Sequence, residues 1–102
     1  MSDCIFCNLK DTLSDDKFVY KDEFCYAIND VNPKAKTHIL VIPNVHVASL
    51  NEVGDTTLLK HMFDAIKTIT KKQGITDFKT LINTGKGAGQ EVFHLHIHIL
   101  AN

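Results

Sequence analysis

The stretch His94-Leu95-His96-Ile97-His98-Ile99-Leu100 alternates histidine with an aliphatic residue three times and closes on one further aliphatic residue. A period of two belongs to an extended strand, so His94, His96 and His98 are expected on one face. Phe93, Leu95, Ile97 and Ile99 then occupy the other, and that face needs a cover. At ~3.4 Å per residue the outer two histidines stand about 13 Å apart, too far for three rings to converge unless the chain bends. The spacing therefore favours divided labour over a single three-histidine metal site. Three of the six histidines fall within five residues on one face, which a merely solvated surface does not explain.

The segment from Asp55 to Gln73 supplies the cover. Leu58, Leu59, Met62, Phe63, Ile66 and Ile69 form a helical stripe, Asp55 is placed to cap the start, and Gly74 suits the position past the end. Upstream, Phe18-Val19-Tyr20 and Phe24-Cys25-Tyr26-Ala27-Ile28 read as a hairpin around the polar turn Lys21-Asp22-Glu23. Asn29-Asp30-Val31-Asn32-Pro33 breaks the second strand, since Pro33 lacks a donor and biases Asn32 away from the helical region. His38-Ile39-Leu40-Val41-Ile42, stopped by Pro43, reads as a central strand. Phe78 to Asn83 reads as a fourth strand and Val92 to Leu100 as a fifth, after the loop Gly85-Lys86-Gly87-Ala88-Gly89. The expected fold is α+β, one domain over residues 1–102 with about five mostly antiparallel strands and one long helix.

The 102 residues suffice for one core, and 44% hydrophobic with 23% charged residues is an ordinary globular balance. A net charge of −1 gives no electrostatic reason to expect nucleic acid. Residues 1–13 lack the basic start and apolar run of a signal peptide, and no stretch approaches the roughly 20 apolar residues of a membrane span. A cytoplasmic enzyme is expected. An odd count of three cysteines, two of them spaced Cys4-x-x-Cys7, points to a reducing compartment and a pair available to a metal. Without a metal the two are thiols near a frayed terminus, while Cys25 reads as a small buried hydrophobe and His61 as a helix-face residue. The glycines of residues 85–89 let backbone amides approach an anion, but the Gly-Lys-Ser/Thr ending of a P-loop is absent.

The segment Gly89 to Leu100 resembles the signature of the histidine triad (HIT) family of nucleotide-binding proteins. The resemblance continues through Cys4-Ile5-Phe6-Cys7, Asn29 to Pro33 and Thr37 to Pro43, in the family's order. It is nearest to the branch that hydrolyses nucleoside phosphoramidates. It implies nucleophilic attack on phosphorus by His96, phosphate contact by His98, and a supporting role for His38. It places Asn83, Gly89, Gln90, Glu91 and Val92 around the phosphate with His96 and His98. Asp30, beside Asn29, matches the carboxylate that binds ribose, and Phe6, Ile28 and Val31 match the base pocket. Glu91 departs from the branch, which often carries serine beside the leaving group; a carboxylate there would repel an anionic substrate unless protonated or turned away, which leaves the preferred leaving group open.

Zinc-containing members of the wider superfamily use two cysteines and two histidines, one of them two residues before the nucleophile. This implies a structural zinc on Cys4, Cys7, His46 and His94, with no open position to activate water, and no organic cofactor. The resemblance also implies a homodimer and, as substrate, a purine nucleotide or nucleoside monophosphate conjugate. Three other functions stay open: dinucleoside polyphosphate hydrolysis, a hydrolase with a catalytic metal on the triad, and a non-catalytic nucleotide-binding regulatory module.

Overall fold

In the computed structural model, which describes residues 3–102, the chain forms a five-stranded antiparallel sheet in the order β1-β2-β3-β5-β4. The elements are α1 (Ile5–Thr12), β1 (Phe18–Lys21), β2 (Cys25–Asn29), β3 (Thr37–Pro43), α2 (Thr57–Lys72), β4 (Lys79–Leu81) and β5 (Ile97–Ala101).

The long helix α2 covers one face of the sheet. Met62, Ala65, Ile66 and Ile69 pack against Cys25, Ala27, Ile39, Val41, Leu95, Ile97 and Ile99. Asp55 caps the helix by accepting from the backbone N–H and hydroxyl of Thr57. The far end closes in a Schellman turn, Ile75 N–H to Thr70 O and Gly74 N–H to Lys71 O, with Gly74 at a φ of 69°. Phe63, placed in the stripe by the sequence pattern, is instead 42% exposed. It follows Met62 by about 100° around the helix, and Ala65 takes the inward position.

The opposite face carries a second helix that the sequence pattern did not predict. Phe6 and Leu9 of α1, with Leu13 just past its end, pack on Tyr26, Ile28, Leu40 and Ile42. The metal-free alternative of thiols near a frayed terminus does not describe this segment: Cys4 is the N-cap of α1 and Cys7 lies within it.

β5 begins at Ile97, not at Val92, and the reason lies in its neighbour. The β3–β5 register ends at Val41 opposite Ile97, and one pair further Pro43 has no N–H to continue the ladder. The Leu95 N–H goes to Val47 O instead, at 2.7 Å. The chain bends there, and Phe93, expected beneath the helix, is 48% exposed. β4 is likewise shorter than residues 78–83, and all three of its residues are exposed at the sheet edge. Among the described residues no helix is long and apolar enough to cross a membrane.

Candidate active site and an adjoining four-residue cluster

His96 lies just before β5 on the face away from α2, almost fully buried. Its Nδ1 is 2.8 Å from the carbonyl oxygen of His94. A carbonyl can only accept, so Nδ1 carries the proton and Nε2 keeps its lone pair. That is the form an imidazole needs to attack phosphorus.

The second arrangement is a chain of imidazoles. The backbone N–H of Lys34 donates to His38 Nδ1 at 3.0 Å, so neutral His38 carries its proton on Nε2. That nitrogen stands 2.8 Å from His98 Nδ1 and 3.4 Å from Asp30 Oδ2. His98 Nδ1 therefore accepts, and the neutral ring bears its proton on Nε2. Among the described residues His98 Nε2 is a buried polar atom with no protein partner. Burial, and then the charges of His96 and His38, push the His98 pKa down to about 4, so the ring stays neutral near pH 7. The rings of His96 and His98 are 5.0 Å apart, which brings a nucleophilic nitrogen and an unsatisfied N–H to one place.

His94 takes a different task. Its Nε2–H donates to Pro43 O at 2.8 Å, leaving Nδ1 bare. Around that nitrogen lie His46 Nδ1 at 3.1 Å, Cys4 Sγ at 3.3 Å and Cys7 Sγ at 3.5 Å. Cys7 Sγ is also 3.3 Å from His46 Nδ1. Zinc bonds of ~2.0 Å to nitrogen and ~2.3 Å to sulfur require tetrahedral edges of about 3.3 to 3.7 Å. The four donors fit a metal ion of that kind, and His94 has the backbone hydrogen bond on its other nitrogen that usually orients such a ligand. Burial holds His94 below the ordinary histidine range, keeping it neutral.

The remaining site residues separate by role. The Gln90 side chain is buried and fully committed: Oε1 accepts from Gly85 N–H, and Nε2 donates to Ala48 O and Val92 O. It holds the loop from Gly85 to Gln90 closed. The amides of Ala88, Gly89 and Gln90 also bond back within this loop, to Gly85 and Lys86 carbonyls. Gly89 has a φ of 92°, which favours glycine, and a Cβ there would lie 4.0 Å from Asn83 Cγ, so these two residues adjoin. Asp30 accepts from Asn32 N–H with Oδ1 and turns Oδ2 toward His38. Ile28 is buried and Val92 half-buried in the α1-side core, Val31 is 90% exposed, and Asn29 and Glu91 are exposed. Two functional partners escape sequence reading, the Lys34 amide and the Pro43 carbonyl. Both are backbone groups, so residue identity carries no signal of them.

An α+β domain that buries paired imidazoles on one sheet face beside a Cys/His cluster defines the class. The chain belongs to the HIT family: the HIT domain model matches residues 12–102. It is 48% identical to Protein HitA of Neisseria gonorrhoeae over 98% of this chain and 96% of that protein. It is 36% identical to the purine nucleoside phosphoramidase of Escherichia coli (strain K12), over 80% of this chain and 72% of that one. A histidine triad protein structure from Clostridium difficile superposes with a TM-score of 0.92 at 40% identity, covering 100% of this chain and 92% of that one.

Proposed function

We propose that this chain hydrolyses nucleoside monophosphate conjugates of the phosphoramidate type through a covalent nucleotidyl-histidine at His96. The observation that carries the reading is the pairing of a bare His96 Nε2 with the orphaned Nε2–H of His98. Nε2 attacks the α-phosphorus, the P–Nε2 bond forms, and the P–N bond to the leaving amine breaks as that amine takes a proton from solvent water, which the later attack of water on phosphorus returns. The His94 carbonyl, already bonded to Nδ1–H, stabilises the positive charge that the ring acquires. His98 Nε2–H donates to the phosphoryl group, oriented by the Lys34 amide through His38. Water then attacks phosphorus, releases the nucleoside monophosphate and returns His96. Asp30 accepts from the ribose, Asn83 and Gly89 border the phosphate, and the exposed Val31 offers apolar surface to a purine.

The phosphoramidase relative supports this choice of bond. The test is turnover of a fluorogenic adenosine phosphoramidate against a diadenosine polyphosphate. Faster cleavage of the phosphoramidate is expected, because the exposed Glu91 disfavours an anionic leaving group. The reverse order would move the function to polyphosphate hydrolysis, and binding without cleavage of either would make it a regulatory module.

The cluster of Cys4, Cys7, His46 and His94 is read as a structural zinc site, which suits a reducing, cytoplasmic setting for its thiols. With four protein donors the ion would brace the fold and not activate water. Exposed Phe63 on α2 and exposed Leu81 on the unpaired β4 edge support a homodimer through these surfaces. Native mass spectrometry of untagged protein addresses both: the expected species is twice the 11.4 kDa chain mass carrying one zinc per chain. A metal-free monomer would count against both assignments.

A further inference from the structure

Phe6 sits between Cys4 and Cys7, and its ring meets the His96 ring edge-on, with centroids 5.1 Å apart and planes at 74°. The same ring meets His94 at 5.9 Å and 84°. Phe6 is only 6% exposed, so little of it remains for a nucleobase to touch. Its own position is fixed from behind, where the Tyr26 hydroxyl donates to Phe6 O at 2.6 Å. On the other side of His96, the His94 carbonyl holds Nδ1–H while the His94 ring enters the four-residue cluster. His46 is also tied in, because the next residue, Val47, accepts the Leu95 N–H. Apart from the Tyr26 hydroxyl, these constraints on His96 lead back to the cluster, through the Cys4–Cys7 turn that carries Phe6 and through His94.

We propose that the Cys4-Ile5-Phe6-Cys7 turn and His94 together clamp the nucleophile, with Phe6 as a positioning residue for His96 and a metal in the cluster closing the clamp. The proposal rests on His96 being the nucleophile. One hydrogen bond to Nδ1 selects a tautomer but leaves the ring free to swing about its two side-chain torsions. A perpendicular aromatic edge against the ring removes that freedom. If the ring turns away from the His94 carbonyl, the proton can move to Nε2 and the attacking lone pair is gone. The two halves of the clamp are distant in sequence, Cys4 and His94 being 90 residues apart, and their donor atoms meet only in the cluster.

The test compares metal-loaded wild type, metal-stripped wild type, Phe6→Leu and Cys7→Ser by two readouts. The first is the long-range 1H–15N spectrum of the imidazoles at one mildly alkaline pH, which reports the His96 tautomer. The second is kcat and KM on the adenosine phosphoramidate. Loaded wild type should show His96 as a single Nδ1–H tautomer. The other three should show tautomer mixing, with kcat lower by about tenfold or more and KM within about twofold. A Phe6→Leu protein with raised KM, unchanged kcat and an unchanged tautomer would assign Phe6 to base binding and overturn the clamp. A stripped, folded wild type whose His96 tautomer does not change would overturn the part played by the metal. Stripping needs no substitution, so it decides the metal's part even if Phe6→Leu fails to fold, and Phe6→Tyr, which keeps an aromatic edge, should then retain the single tautomer where Phe6→Ala loses it. If wild type cleaves no phosphoramidate, the proposed reaction fails while the tautomer spectra still judge the clamp.

Discussion

His96→Ala is expected to slow single-turnover hydrolysis of an adenosine phosphoramidate by ~10³-fold or more, about 4 kcal/mol of transition-state stabilisation. On the proposed mechanism the size follows from the loss of a bond-forming atom, not of a contact. His96 holds its proton on Nδ1 against the His94 carbonyl, so Nε2 is presented without prior proton transfer. No neighbour can substitute. His98 points its protonated nitrogen into the site, with Nδ1 bonded to His38, and His94 has its bare nitrogen in the cluster. Denaturation curves of the variant separate this loss from unfolding, since the core formed by α2 and β5 does not include the His96 ring. A variant within tenfold of wild type would rule out the covalent mechanism.

Much of this site is legible in the sequence because two periodicities coincide there. The alternation from His94 to Leu100 sorts the histidines from Leu95, Ile97 and Ile99, and the aliphatic side packs beneath α2 as expected. α2 is legible because a long stripe carries its own punctuation, Asp55 at one end and Gly74 at the other. The failures share a cause in tertiary context. α1 spans eight residues with no side-chain cap and few apolar anchors, so it is defined only by the sheet face it covers. The start of β5 is set by Pro43 on another strand, which no local pattern around Val92 announces. That same bend resolves the spacing problem of the three histidines. It lets the His94 ring reach the Cys4 side while His98 remains in the strand beside His38.

Stability should fall as pH drops from 6.5 toward 4, and His98 should account for a large share of the loss. Burial holds its folded-state pKa at about 4, below the ordinary histidine value of 6.5. Between those values the unfolded chain binds a proton that the folded protein refuses, so protonation favours unfolding. The contribution is full above pH 6.5, declines as pH falls through the window, and is exhausted below about 4. At about 1.4 kcal/mol per unit, the shift corresponds to roughly 3 kcal/mol at most. In metal-free protein His94, also held low by burial, steepens the same slope. Carboxylates act in a separate range: Asp55, held below 3.8 by the Thr57 N–H, loses its contribution only under more acidic conditions. Urea unfolding of metal-free wild type and His98→Asn across this range provides the check, with a shallower decline expected for the variant. Equal slopes would mean that His98 protonates freely in the folded state. The same neutrality bears on the proposed catalysis, because a ring that stays uncharged to about pH 4 keeps Nδ1 accepting from His38 and the proton on Nε2. A fall in activity between pH 6.5 and 4 would then come from unfolding or from another group, and measuring kcat on His98→Asn beside its stability would tell these apart.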